Sequence, residues 1–158
     1  MRLLLDTNLL GKLCHPKQYA DVKAWFSEIL GRPSSITVAL PEVADYELRR
    51  ALIRGIRQQQ IEPKSLDRLN AFGKLLDYQA LTTPVMQDAA SLWAQARIGG
   101  YPTAPEEALD GDVILAAQAR EEPAVVVTSN RKHLTRYGVE AKDWSEISIP
   151  SEPNSQQP

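Results

Sequence analysis

Three consecutive leucines, Leu3, Leu4 and Leu5, end on a carboxylate, Asp6. So short and unbroken an apolar run predicts a strand buried on both faces, Arg2–Leu5. The period then changes. From about Ala20 to Leu30, Val22, Trp25, Phe26 and Ile29 recur at helical spacing, and Gly31 with Pro33 supplies the stop. The stretch ITVAL (36–40) predicts a second buried strand. Pro41 stands where the first turn of a helix tolerates proline, and EVADYELRRALIRGI continues as that helix. Another proline-led helix is expected over PKSLDRLNAFGKLLDYQ (63–79), with a short strand near Leu81. PVMQDAASLWAQARI predicts a helix opened by Pro84 and closed by Gly99-Gly100, followed by a loop over GGYPTAPEEALDG. DVILAAQARE is apolar almost all round its first two turns, which predicts a buried helix starting at Asp112. AVVVT predicts a buried strand, SNRKHLTRYG a turn with a short helix, and EISI a last strand.

Strands alternating with helices predict an α/β fold of three layers, a mainly parallel central sheet with helices on both faces. Right-handed crossovers would gather the strand ends and the following helix starts at one edge, where such sheets bind ligands. The length of 158 residues suits one domain, residues 1–150. The polar end 151–158, with two prolines, is expected to be disordered.

The formal net charge is −2, so any nucleic-acid role needs a local basic patch rather than an overall basic character. Cys14 is the sole cysteine, which rules out a disulfide within the chain and fits a reducing cytoplasm. No apolar run approaches membrane-spanning length, and Asp6 interrupts the first one too early for a signal peptide. Cys14 and His15 are adjacent and His133 is far away, so a usual zinc site is excluded. A metal bound here would be held by oxygen.

The acids supply that oxygen. Asp6 follows the first strand. Glu47 lies on the flank of a stripe formed by Ala44, Leu48, Ala51 and Leu52. Asp112 opens the buried helix, Asp110 stands where its N-cap would be, and Thr128, Ser129 and Asn130 follow the last buried run. Each has a local alternative. Asp6 and Asp110 suit caps or Asx turns, and Thr128 to Asn130 suit a polar turn. Glu47 suits a pair with Arg50, worth about 0.2–0.5 kcal/mol. Asp112 suits a helix N-terminus, worth about 0.3–1 kcal/mol. Taken together, the topology brings these side chains from distant segments to one edge. Clustered carboxylates raise one another's pKa unless a cation offsets them, and an all-oxygen set favours Mg²⁺, with Mn²⁺ able to substitute.

At these residues the sequence resembles the PIN-domain family, and within it the VapC-type ribonuclease toxins of bacterial toxin–antitoxin pairs. LLLDTNLL resembles the opening strand with its first acid, and YELRRAL the helix whose acid is followed three residues later by Arg. DGDVILAAQA resembles the D-x-x-I-A-A element, and VVVTSNRKHL the closing strand with T-x-N. The resemblance implies a PIN-like fold and a metal-dependent endoribonuclease that cuts single-stranded or looped RNA. It implies a type II toxin, a cytoplasmic homodimer blocked by a cognate antitoxin. Asp6, Glu47 and Asp112 would be catalytic and would hold the metal, with Asp110 as a further ligand. Thr7, Asn8, Thr128 and Asn130 would orient ligands or the metal's waters. Phosphates need positive contacts as well, for which Arg49, Arg50, Lys12 and Arg131 are the candidates, while a solvated helix face accounts for Arg54 and Arg57. In one respect the chain departs from the family: His133 stands where many members carry a fourth acid. Two other readings fit the sequence less well. A strand–Asp phosphatase would need a second Asp where Asn8 stands. A PIN-like RNA-binding scaffold without catalysis would gain nothing from packing anions together.

Overall fold

The computed structural model describes residues 1–32, 35–100 and 106–149. The chain runs β1 (Arg2–Leu5), α1 (Thr7–Cys14), α2 (Ala20–Leu30), β2 (Thr37–Pro41), α3 (Glu42–Arg57), α4 (Lys64–Leu75), β3 (Asp77–Gln79), α5 (Thr83–Ile98), α6 (Glu106–Glu121), β4 (Val125–Val127), α7 (Arg131–Thr135) and β5 (Ala141–Lys142). The five strands form one sheet in the order β3-β2-β1-β4-β5, and every neighbouring pair is parallel. Leu3 pairs with both Val38 and Val125, so β1 is the central strand.

The period of two along β1 divides the core. Leu3 and Leu5 face a cluster that takes in Leu10, Leu13, Ile29, Leu48 and Leu69 from α1 to α4 and Leu40 from β2. Leu4 faces the opposite cluster, with Val85, Ala89, Leu92, Ala116 and Leu134 from α5 to α7 and Val126 from β4. Helices therefore cover both faces, and the fold is the expected three-layer α/β fold around a parallel sheet. No helix among the described residues is long and apolar enough to cross a membrane. Cys14 is 1% exposed in the first cluster, and burial pushes its thiol pKa up to about 12.

Several boundaries differ from the sequence expectations. The segment after Asp6 is a helix, α1, where the sequence pattern predicts none. The helix expected over 63–79 stops at Leu75, and its last residues form β3, earlier than the strand expected near Leu81. There Asp77 pairs with Ala39 in the sheet, and its carboxylate is bound by Arg2. The buried helix starts at Glu106 rather than Asp112, so Asp110 and Asp112 lie in its second turn and Asp110 is not its N-cap. The last strand is β5 rather than EISI. Trp144–Glu146 is instead a 3₁₀ turn, closed by a reciprocal capping box between Asp143 and Glu146. Pro33, residues 101–105 of the expected loop and the tail 151–158 lie outside the described residues.

Candidate functional site

The sheet order reverses direction between β1 and β4, which places the switch point of the sheet beside the carboxyl ends of those two strands. Asp6 sits there. Its N–H donates to the Val127 carbonyl at 3.2 Å, continuing the β1–β4 ladder one residue past the strand. Its carboxylate makes no capping bond to α1. Instead Oδ2 accepts from Thr128 Oγ1 at 2.7 Å, and that hydroxyl in turn accepts from the Asn130 backbone N–H at 2.9 Å. Thr128 is 2% exposed, so this support is rigid.

Glu47 reaches the same edge from α3. Thr7 Oγ1 donates to its Oε2 at 2.6 Å. The pair with Arg50 does not form, so Glu47 is tied to the start of α1 rather than to its own helix. Asp112 comes from α6, where the His133 imidazole of α7 faces it, with Nδ1 3.3 Å from Oδ2.

The electrostatics confirm that these acids share one neighbourhood. The Asp6 pKa is raised, first by burial and further by the charge of Glu47. The Thr128 hydrogen bond and the nearby amides of Thr7 and Asn8 oppose that rise. The Asp112 pKa is raised by burial first, opposed by His133, and raised again by Asp6 and Glu47. Three carboxylates from three elements thus repel one another across a partly buried space. They are spread rather than closed upon a point: among the described residues, no group of three or more His, Cys, Asp or Glu side chains is set to hold a metal ion.

The remaining candidates divide. Asp110 is exposed and lines an apolar depression of about 370 Å³ with Met86, Ala89, Ala90, Trp93, Val113 and Ile114 between α5 and α6. Two residues apart on a helix means opposite sides, so Asp110 is turned away from the acids that Asp112 joins. Asn8 and Asn130 are exposed, and Asn130 supports the site through its backbone amide. Arg49 is committed elsewhere. Its Nε and Nη2 bind the Asp45 carboxylate at 3.1 and 2.9 Å, and Nη1 donates to Asn70 Oδ1 at 2.8 Å. Asp45 is buried and also accepts from the Tyr78 hydroxyl at 3.3 Å, so this group joins α3 to α4 and β3. Arg131 is held by both carboxylate oxygens of Glu146 at 2.8 Å, and Lys12 lies 6.0 Å over the Tyr19 ring.

Arg50 alone of the four expected phosphate contacts borders the acids. With Thr7, Glu47, Ala51 and Arg54 it lines an open groove of about 580 Å³. Its guanidinium lies 5.2 Å over the exposed ring of Tyr46. Arg54, expected on a solvated face, shares that groove. Only the turn-by-turn geometry of α3 shows this, since Arg50 and Arg54 are four residues apart and so stack on one side of the helix.

An acidic cluster at the switch point of a five-stranded parallel sheet, flanked by a basic groove, is what the PIN-like fold presents here. Solved structures share that fold. A chain of VapBC2 from Rickettsia felis, crystallised bound to a DNA fragment from their promoter, matches with a TM-score of 0.69 at 18% identity, over 91% of this chain and 99% of that one. FitAcB from Neisseria gonorrhoeae gives 0.66 at 21% identity, over 92% and 99%. DNA-bound VapBC from Salmonella typhimurium gives 0.68 at 21%, over 91% and 98%. At such identities the likeness is one of fold. No family model and no curated protein matches the sequence.

Proposed function

We propose that this protein is a metal-dependent endoribonuclease, the toxin of a toxin–antitoxin pair, acting on single-stranded or looped RNA. The observation that carries this reading is the coupling of Asp6, Glu47 and Asp112 at the switch point of the sheet. A binding module has no use for three mutually repelling acids, two of them with raised pKa. The resemblance to VapC-type toxins and the fold shared with VapBC and FitAB chains support it further.

The donor set fits a hard divalent cation: it is carboxylate oxygen, it carries like charges that need offsetting, and it opens to a groove. Asp6, Glu47 and Asp112 would hold Mg²⁺ or Mn²⁺. When bound, such an ion offsets the acids, lowers the pKa of a bound water and polarises the phosphoryl oxygen. The chain's own residues do the rest. Thr128, Thr7 and His133 fix the three acids, each through one contact. Arg50 and Arg54 offer positive charge to the RNA backbone in the groove, and the exposed Tyr46 ring beside Arg50 suits an unpaired base. A homodimer and a cognate antitoxin in the cytoplasm complete the proposal.

The test is cleavage of a looped RNA by the full chain. Cleavage should require Mg²⁺ or Mn²⁺, stop in EDTA and return when the metal is restored. RNA binding without cleavage under every metal condition would replace the nuclease by a scaffold. A second measurement concerns the groove. Arg50→Ala should flatten the dependence of log affinity on log salt by about 0.7, the share of one phosphate contact on a single strand. A wild-type slope would remove Arg50 from the RNA path.

A further inference from the structure

Helix α6 meets Glu47 at Gly111. A Cβ placed on Gly111 would lie 2.3 Å from Glu47 Oε1, 3.0 Å from its Cδ and 3.3 Å from Oε2. The carboxylate therefore occupies the space that any other residue would fill with its own side chain. Nothing else about the position calls for glycine. It lies inside a helix, where glycine is unfavourable relative to alanine, and the positive-φ glycines are Gly100 and Gly138. Gly73, also within a helix, has nothing within 4 Å of the corresponding point. Gly55 is approached closely too, but by the apolar end of Ile61, which is packing. At Gly111 the intruding group is an acid of the candidate site.

The Glu47 carboxylate thus meets two other helices. Thr7 Oγ1 holds Oε2 from α1, and the bare Cα of Gly111 receives Oε1 on α6. The next residue along α6 is Asp112, whose pKa the charge of Glu47 helps to raise. We infer that Gly111 is a positioning residue: its missing side chain lets the Glu47 carboxylate rest against α6 beside Asp112, from where the two acids can draw together on a metal. This rests on the metal-site reading above, and goes beyond it by giving a role to a residue that carries no donor atom.

The experiment is calorimetric titration of Mn²⁺ into the full chain, for wild type, Gly111→Ala, Glu47→Asp and the double variant, with thermal melts of each in EDTA. Gly111→Ala should melt in EDTA at or above wild type, because alanine favours the helix and only the end of a flexible side chain must move. Its Mn²⁺ affinity should nevertheless fall by about tenfold or more, the scale seen when groups that orient metal ligands are lost. Glu47→Asp shortens the acid by one methylene and vacates the space of the new methyl. In that background Gly111→Ala should cost no further Mn²⁺ affinity, a non-additivity that routes the loss through the Glu47 carboxylate. Equal Mn²⁺ affinity of wild type and Gly111→Ala would overturn this inference alone. So would the same loss in both backgrounds, or a lowered EDTA melting temperature that Glu47→Asp does not relieve. Failure of the wild type to take up Mn²⁺ would overturn the metal-site reading, and this inference with it.

Discussion

Asp6→Asn should lower metal-dependent RNA cleavage by at least about a hundredfold, because removing mere outer partners of a metal site already costs about 10–100-fold. It should also raise the melting temperature measured in EDTA. The asparagine keeps the shape of the side chain, and its amide oxygen can still accept from Thr128 Oγ1. What it removes is a charge that burial and the neighbouring Glu47 disfavour. A raised pKa in the fold means that the ionised form is less stable there than in the unfolded chain, so deleting the charge removes a cost at neutral pH. Activity lost with stability gained is the mark of a side chain kept for chemistry. Cleavage at the wild-type rate would remove Asp6 from the catalytic machinery and end this assignment of the site. A marked fall in melting temperature would make Asp6 a structural acid of the β1–α1 junction.

Mn²⁺ at about a hundredfold excess over Kd should stabilise the protein at neutral pH by about 2.7 kcal/mol. For a chain of this size that corresponds to roughly 5–11 °C in melting temperature. The pH dependence follows from the raised pKa values of Asp6 and Asp112, both above the ordinary 3.8. Without metal, the fold binds these protons more tightly than the unfolded chain does. Their contribution to stability is therefore best at low pH. It is lost as pH rises from the ordinary carboxylate value through the raised one, and is constant above that. Metal binds the ionised acids, so its benefit should run the other way, full at neutral pH and shrinking at acid pH as protons compete for carboxylates whose pKa values stand above the ordinary range. Differential scanning calorimetry with and without Mn²⁺ across this range gives the answer. A Mn²⁺ shift that ignores pH, or that survives in Asp112→Asn, would place the ion somewhere other than among these acids.

The central strands were legible in the sequence because β1, β2 and β4 are short apolar runs buried on both faces, a pattern that needs no tertiary information. Their alternation with helices set the three-layer fold. The edge strands were not legible. β3 and β5 have three and two residues, and they are strands because Ala39 and Val126 stand opposite them, not through any pattern of their own. Helix α1 carries Leu9, Leu10, Leu13 and Cys14 on its buried side, but it is only eight residues long, Gly11 interrupts it, and the cap that Asp6 offers was equally open to a turn. At the site, the placing of Asp6, Glu47 and Asp112 toward one edge of the sheet was readable from where each stands relative to strand ends and helix starts. The fates of the arginines were not. Arg49 and Arg131 look as available as Arg50 until Asp45 with Asn70, and Glu146, are seen to hold them. The approach of α6 to Glu47 depends on an inter-helix distance that no local pattern encodes.

The burial of Cys14 has a practical consequence. Cys14 closes α1 on its buried side, and a thiol that burial pushes up to about 12 offers almost no thiolate to an alkylating reagent at neutral pH. The native protein should therefore be silent toward maleimide dyes and spin labels. One cysteine engineered on the surface can be tagged selectively without deleting the natural one. If Cys14 itself ever reacts, the rate reports how often α1, and with it the hydroxyl that grips Glu47, lifts from the body of the molecule.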